Sequence, residues 1–464
     1  MKNKEKALLF EDRSKNITAQ AGGRSPKAVT KGKGLRKYLG KLAVSLTLAH
    51  PLRHRREWGN TMGALDDIRV LDLSRVLAGP WCTQLLADLG ATIIKVERPG
   101  EGDDTRSWAP PYRESTVTPG ARMASYFMSA NRGKQSVAID MSRPEGAALI
   151  RALAAECDIL VENFKVGGLA KYGLSYEDLR AENPRLIYCS ITGYGQDGPY
   201  AERPGYDFII QGVGGLMGLT GVPDGEPMRA GVAVTDVMTG MYACNGILAA
   251  LHHRNRTGEG QWVNIALLDV QVATMANQAL SYLATGRNPK RQGNAHASIV
   301  PYEAFATATG DITIAGGNDN LFRRLCTALG QPALGTDARY ATNAARVANR
   351  AELIPHLQAL LRAWTQGDIL AALEAAGVPA GPINTMEQVF ADPQVIHRGI
   401  AFTQTSPIMG EVPAVRCPLR MSASEIGTSL PPPALGEHTR AVLTETLHLT
   451  PQEIDALDHL GVVK

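Results

Sequence analysis

Between Asp67 and Ile191, short apolar runs alternate with helix-length segments, and this alternation constrains the fold more than any other feature of the chain. Ile68 to Leu73 reads as a buried strand, Pro80 to Leu89 as a helix closed by Gly90, and Ala91 to Glu97 as a second strand. Ser136 to Asp140, Ile159 to Glu162 and Leu186 to Ile191 follow as strands, with helices over Pro144 to Cys157 and Tyr176 to Glu182. Strands this apolar need cover on both faces, and parallel neighbours need a crossover that is usually helical. The pattern therefore predicts an α/β protein with a parallel, Rossmann-like sheet.

Beyond it, Asp236 to Arg254 reads as a long apolar helix, Val263 to Ala266 as a strand and Asp269 to Leu283 as a further helix. The polar segment Gly286 to Gly293 reads as a connection. Ala304 to Thr307 and Ile312 to Ala315 predict a hairpin around Thr309-Gly310-Asp311, with helices over Leu321 to Leu329, Arg350 to Trp364 and Asp368 to Ala376. The predicted organisation is a basic extension over 1–61, a large domain over 62–267, a linker over 268–291, a small α+β domain over 292–340, a second linker over 341–361, and a return to the large domain over 362–464.

Charge separates the extension from the rest. Residues 1–60 carry 15 Lys or Arg against 4 Asp or Glu, so with a total of +3 the remainder carries −8. A Lys-, Gly- and Ser-rich stretch with so little to bury reads as disordered. A targeting peptide, a nucleic-acid arm and sequence upstream of a true start at Met62 are the open readings. Glu5, Glu11 and Asp12 speak against the first, and the acidic balance of the body speaks against nucleic acid as its partner. No segment is read as a membrane span. Six scattered cysteines without a Cys-x-x-Cys pair suggest free thiols in a reducing, cytoplasmic setting. Ten histidines without a metal-ligand spacing suggest no metal site.

Several loops at strand ends could hold an anionic ligand. Val70 to Pro80 runs strand, loop, helix N-terminus, and such an end presents unpaired N–H groups. Lys95-Val96-Glu97-Arg98 puts Arg98 after a strand, where open α/β sheets bind ligands. Asn131-Arg132-Gly133-Lys134 sets cations before a strand, and Glu162-Asn163-Phe164 offers an amide and a flat ring. Singly, each is as well explained by turns, solvated charge or packing. Asp236 opens an apolar helix; its bland role is an N-cap. The helix dipole would lower its pKa and keep it ionised.

Together and in this order, these segments resemble the family III CoA-transferases, the group of formyl-CoA and carnitine CoA-transferases. The resemblance runs from about Ala64 to the C-terminus. Its markers also include Gly193-Tyr194-Gly195-Gln196-Asp197-Gly198-Pro199 and Leu435-Gly436-Glu437-His438-Thr439. It implies an interlocked homodimer of ring-like chains, with the site between subunits. Asp236 matches the family's nucleophile. The matched coenzyme A contacts are Val76, Ala78, Arg98, Lys134, Asn163 and Phe164, and Lys171 falls where several members carry a basic residue. Trp108 and Tyr194 match aromatics near the reacting centre. Gly293 and Ala297, or Gly316-Gly317, are expected to supply oxyanion donors.

The implied reaction moves CoA from an acyl-CoA to a small organic acid through an aspartyl-CoA thioester, with the CoA thioester as substrate and no permanently bound cofactor. Formyl-CoA transferases carry a glycine run after the match to Gly293-Asn294, whereas Ala295 to Tyr302 stands here, and Leu77 replaces their glutamine. Ser298 to Tyr302 and Pro431 to Pro433 look more like the succinyl-CoA:glutarate and related dicarboxylate transferases. Arg106, Arg229 and Arg323 are candidates for a distal carboxylate. Two alternatives stand beside this reading. An α-methylacyl-CoA racemase of the same family would carry His at Tyr206, and tyrosine is a poor base at neutral pH. A non-catalytic acyl-CoA-binding protein would have no use for Asp236 chemistry.

Overall fold

A computed structural model of the chain describes residues 63–428 and 430–464. The expected basic extension at 1–61 lies outside the described residues.

Six strands form one sheet: β1 (Arg69–Asp72), β2 (Thr92–Glu97), β3 (Lys134–Ala138), β4 (Ile159–Glu162), β5 (Ile187–Thr192) and β6 (Trp262–Ala266). Every pairing is parallel and the order is β3-β2-β1-β4-β5-β6, the classic dinucleotide-fold order, here without its glycine fingerprint. Val70 pairs with both Ile93 and Ile159, and all three are buried. The strand order reverses between β1 and β4, which opens a crevice at their carboxyl ends.

Three helices matter for what lies in that crevice: α1 (Ala78–Asp88), α2 (Asp207–Val213) and α3 (Val234–Thr257). At 24 residues α3 meets the length and composition of a membrane span, which the sequence reading had assigned to no segment. One face, with Ala243, Ile247 and Ala250, sits in the sheet core. The other presents Met238, Met241 and Tyr242 outward.

Two of the expected linkers are structured. Residues 268–291 contain most of the helices Leu267–Thr274 and Ala276–Thr285. Residues 341–361 contain Asn343–Ala348 and Arg350–Leu361, whose Leu353, Leu357 and Leu361 recur every fourth residue and are fully buried in the small core. That core runs from Val300 to Val378, well past the expected end at 340. It packs these helices on a three-stranded antiparallel sheet, β7 (Tyr302–Ala306), β8 (Asp311–Ala315) and β9 (Ala380–Pro382), of which β7 and β8 form the predicted hairpin. Arg346, wholly buried, donates to the carbonyls of Val300, Tyr340 and Gly317. The chain then returns to the large domain. His438 donates its N–H to the Ser136 carbonyl, and Asp140 donates its N–H to the Val462 carbonyl.

Candidate active site

The loop after β1 is shaped by a buried ion pair. Lys95 Nζ donates to the Ser74 carbonyl and to Asp103 Oδ2, both at 2.9 Å. The second oxygen of Asp103 accepts the Val76 N–H at 3.3 Å and two bonds from Thr105. Burial opposes the Asp103 charge, but Lys95 and these bonds outweigh it and hold its pKa at about 2. Val76 itself has φ 71°, a left-handed conformation that a β-branched residue adopts only when its surroundings impose it. From the other side of the crevice Asn163 clamps the same loop. Its Oδ1 accepts the Arg75 N–H at 2.8 Å and its Nδ2 donates to the Arg75 carbonyl at 2.6 Å.

This loop feeds into α1 with Leu77 at the N-cap, and no side chain caps that end. Across it runs α3, and the approach is close. A β-carbon on Gly240 would lie 2.6 Å from the Ala78 carbonyl oxygen. Only glycine tolerates that contact, which brings Asp236, one turn earlier on α3, beside the start of α1.

Asp236 does not take the N-cap role that an acid in a first turn ordinarily has. The α3 N-cap is Ala233, without a side-chain bond. The capping oxygen comes from Asp207, whose Oδ1 accepts the N–H of Thr235 at 2.9 Å and of Asp236 at 3.2 Å. Gln211 holds the other Asp207 oxygen at 2.6 Å. The Asp236 carboxylate receives no hydrogen bond from the described residues. Burial, and then the charge of Asp207, push its pKa up to about 7, opposite to the lowering expected from the helix dipole.

Asp236 lines a cavity of about 240 Å³ together with Arg75, Val76, Ala78, Asn163 and Phe164. Five of the predicted residues, Val76, Ala78, Asn163, Phe164 and Asp236, are therefore brought together. Trp108 does not line the cavity but packs edge-on against Tyr126 at 5.2 Å. Burial and the charges of Asp236, Asp207 and Asp103 raise the Tyr126 pKa, which places that ring in the same field. Tyr194 packs behind Tyr200 at 5.6 Å.

The other predicted residues lie elsewhere. Lys134 is fully buried, and its ammonium donates to Asp72 Oδ2, the Pro80 carbonyl and Asn131 Oδ1 at 3.0–3.1 Å. Its three donors are spent, so it is a structural cation under the loop and not a phosphate ligand. Arg98 is exposed and pairs with Glu101 at 3.0 Å. Lys171 stands over the Tyr172 ring. Gly293 donates its N–H to the Gly221 carbonyl, Gly316 donates to Pro301, and neither they nor Ala297 and Gly317 line the cavity. Arg106 is held by both oxygens of Glu97, at 2.7 Å each. Arg229 and Arg323 do not line the cavity. Sequence reasoning gave no role to Asp207, Arg75, Lys165 or Arg203. Arg75 lay inside the quoted loop motif, but nothing local marks a capping acid 29 residues before the carboxylate it serves.

Residues 65–439 match the model of CoA-transferase family III, and the chain belongs to that family and is a CoA-transferase. A succinate–glutarate CoA-transferase of Agrobacterium fabrum is 52% identical over 83% of this chain and 96% of its own length. The human succinyl-CoA:glutarate CoA-transferase is 44% identical, over 87% and 91% respectively. Among solved structures, a CAIB/BAIF family protein from Brucella suis superposes with a TM-score of 0.76 at 50% identity, covering 83% of this chain and all of that one.

Proposed function

We propose that this CoA-transferase moves CoA from succinyl-CoA to a dicarboxylic acid acceptor of the glutarate class, with Asp236 as nucleophile. The observation that carries the mechanism is the division of labour between two acids: Asp207 caps the helix, and the Asp236 carboxylate has no donor among the described residues. The relatives' succinyl-CoA and glutarate activities support the substrate class.

In this reading the Asp236 carboxylate attacks the donor thioester, forming a mixed anhydride and expelling CoA thiolate. The thiolate attacks the Asp236 carbonyl, releasing succinate and leaving an aspartyl-CoA thioester. The acceptor carboxylate then attacks that thioester, and the returning thiolate cleaves the new anhydride on the acceptor side, giving acceptor-CoA and free Asp236. No proton changes hands, so covalent catalysis needs no general base here. A carboxylate with its pKa near 7 is half ionised at neutral pH and more basic than an ordinary one, and burial shields the anhydride from water. Val76, Ala78, Asn163 and Phe164 are the CoA contacts that line the cavity, and the exposed Arg98 and Lys171, outside it, are proposed as further contacts of the CoA ester. Racemisation would need an acid/base pair, whereas the residue lining the cavity at the relevant position is Tyr206.

A homodimer is part of the proposal. Tyr206, Phe208 and Ile209 at the start of α2 and Met241 and Tyr242 on α3 leave large apolar side chains uncovered, which a partner subunit would cover. A cytoplasmic setting fits six cysteines that are all unpaired and buried.

The decisive experiment is trapping. Incubation with succinyl-CoA followed by hydroxylamine should place a hydroxamate on the peptide containing Asp236. Active enzyme that yields no Asp236 adduct under single-turnover conditions would refute the covalent route.

A further inference from the structure

Among the described residues, three cations line the cavity: Arg75, Lys165 and Arg203. They are not equivalent. Arg75 pairs with Asp104 at 3.2 Å and lies 5.3 Å from the Phe164 ring centroid. Lys165 follows Phe164 directly, so both sit at the end of the cavity assigned above to CoA. Arg203 comes from the segment that leads into α2. Its guanidinium carbon is 3.8 Å from the Tyr200 ring centroid, and no carboxylate pairs with it among the described residues. Tyr200 is itself braced edge-on by Tyr194 at 5.6 Å.

The backbone from Arg203 to Asp207, the acid that caps α3, is short and closely packed. Pro204 and Gly205 follow, and Gly205 crosses Gly193 so closely that a β-carbon on Gly193 would lie 2.5 Å from the Gly205 Cα. Two residues later Asp207 accepts the Asp236 N–H. A guanidinium over an aromatic ring, unpaired among the described residues, therefore shares one cavity with the Asp236 carboxylate, and its backbone runs within four residues into the Asp207 that holds the Asp236 N–H.

A dicarboxylic acid that presents one carboxyl to Asp236 must place the other in the same partly enclosed cavity. Burying that charge without a counter-charge is costly. Arg75 is already paired, whereas the planar fork of Arg203 can take a carboxylate bidentately, and stacking on Tyr200 has restricted its motion in advance. We propose that Arg203 reads the distal carboxylate of the dicarboxylic substrate and so sets the preference for diacids. This rests on the transfer reaction proposed above.

The test uses the full chain and the variants Arg203→Met and Arg203→Lys, with glutarate as acceptor and succinyl-CoA as donor, and titration calorimetry with free CoA. Loss of a charge-assisted bidentate contact should raise the KM for glutarate by about 30- to 100-fold in Arg203→Met, while the Kd for CoA moves less than about twofold and reports an intact fold. Arg203→Lys, which keeps the charge without the fork, should fall between. A weakened Kd for CoA with an unchanged glutarate KM would show that Arg203 meets a phosphate and overturn the proposal. An active wild type with Arg203→Met unchanged in both measurements would overturn it alone. A wild type that binds CoA but transfers it to no dicarboxylic acid would overturn the transfer reading and this inference together.

Discussion

The backbone N–H of Asp236 donates to the Asp207 carboxylate at 3.2 Å, so one acid holds the helix start while the carboxylate of the other accepts no hydrogen bond from the described residues. Both acids are buried, and the Asp207 charge raises the cost of ionising Asp236. That cost is visible as the upward shift of Asp236 to about 7, to which burial contributes first and the charge of Asp207 second.

Asp236→Asn should abolish transfer and make the protein more stable. The folded pKa of about 7 lies above the ordinary 3.8, so the folded state binds the extra proton between those values and stability falls as pH rises through that window. Above it the ionised carboxylate costs on the order of 4 kcal/mol, at about 1.4 kcal/mol per pKa unit. Denaturant unfolding should show the variant more stable by that order at pH 8, with the gap closing by about pH 4. A variant less stable than wild type at pH 8 would contradict the strained-carboxylate account.

In the proposed route, thioester formation on Asp236 requires the ionised form. Its single-turnover rate should rise with pH through about 7 and then level off. Asp207→Asn keeps an oxygen for the two helix N–H groups but removes the neighbouring charge, so the midpoint should move to lower pH. A midpoint that stays in place would mean that burial alone sets the shift.

Lys134 and Arg98 separate a structural cation from an exposed one. Lys134→Met leaves Asp72 buried with one counter-charge fewer and should cost about 3–5 kcal/mol of stability. Arg98→Ala removes an exposed pair and should cost less than about 1 kcal/mol, while weakening the binding of the CoA ester. Chemical denaturation and CoA titration on both variants check the contrast.

Asp103→Asn should loosen the loop through Val76. Lys95 would lose its nearest counter-charge, with a stability loss of about 3 kcal/mol, and the KM for the CoA ester should rise more than kcat falls. The depressed Asp103 pKa of about 2 means that its contribution is present above about 4 and is lost as pH falls toward 2. The stability difference between variant and wild type should therefore shrink on acidification.

By itself the sequence determined the parallel sheet, because Val70, Ile93, Ile159 and Ile187 are buried strand residues whose apolar runs admit cover only from helices between them. It also carried the family resemblance, and with it Asp236, Asn163 and Phe164 as candidates that the fold brings to one cavity. It did not determine which side chain meets which charge. Lys134 and Arg98 both sit beside ligand-like loops, yet only the packing of β3 against β2 and α1 turned Lys134 inward onto Asp72, Pro80 and Asn131. The helix cap was undecidable for the same reason. Asp236 is an acid in a first turn, where capping is the ordinary role, and only the fold brings Asp207 to take that role and leave Asp236 free. Hydrophobic periodicity is local and survives in the linear chain. The pairing and pKa of charged groups depend on neighbours and burial that exist only once distant segments meet.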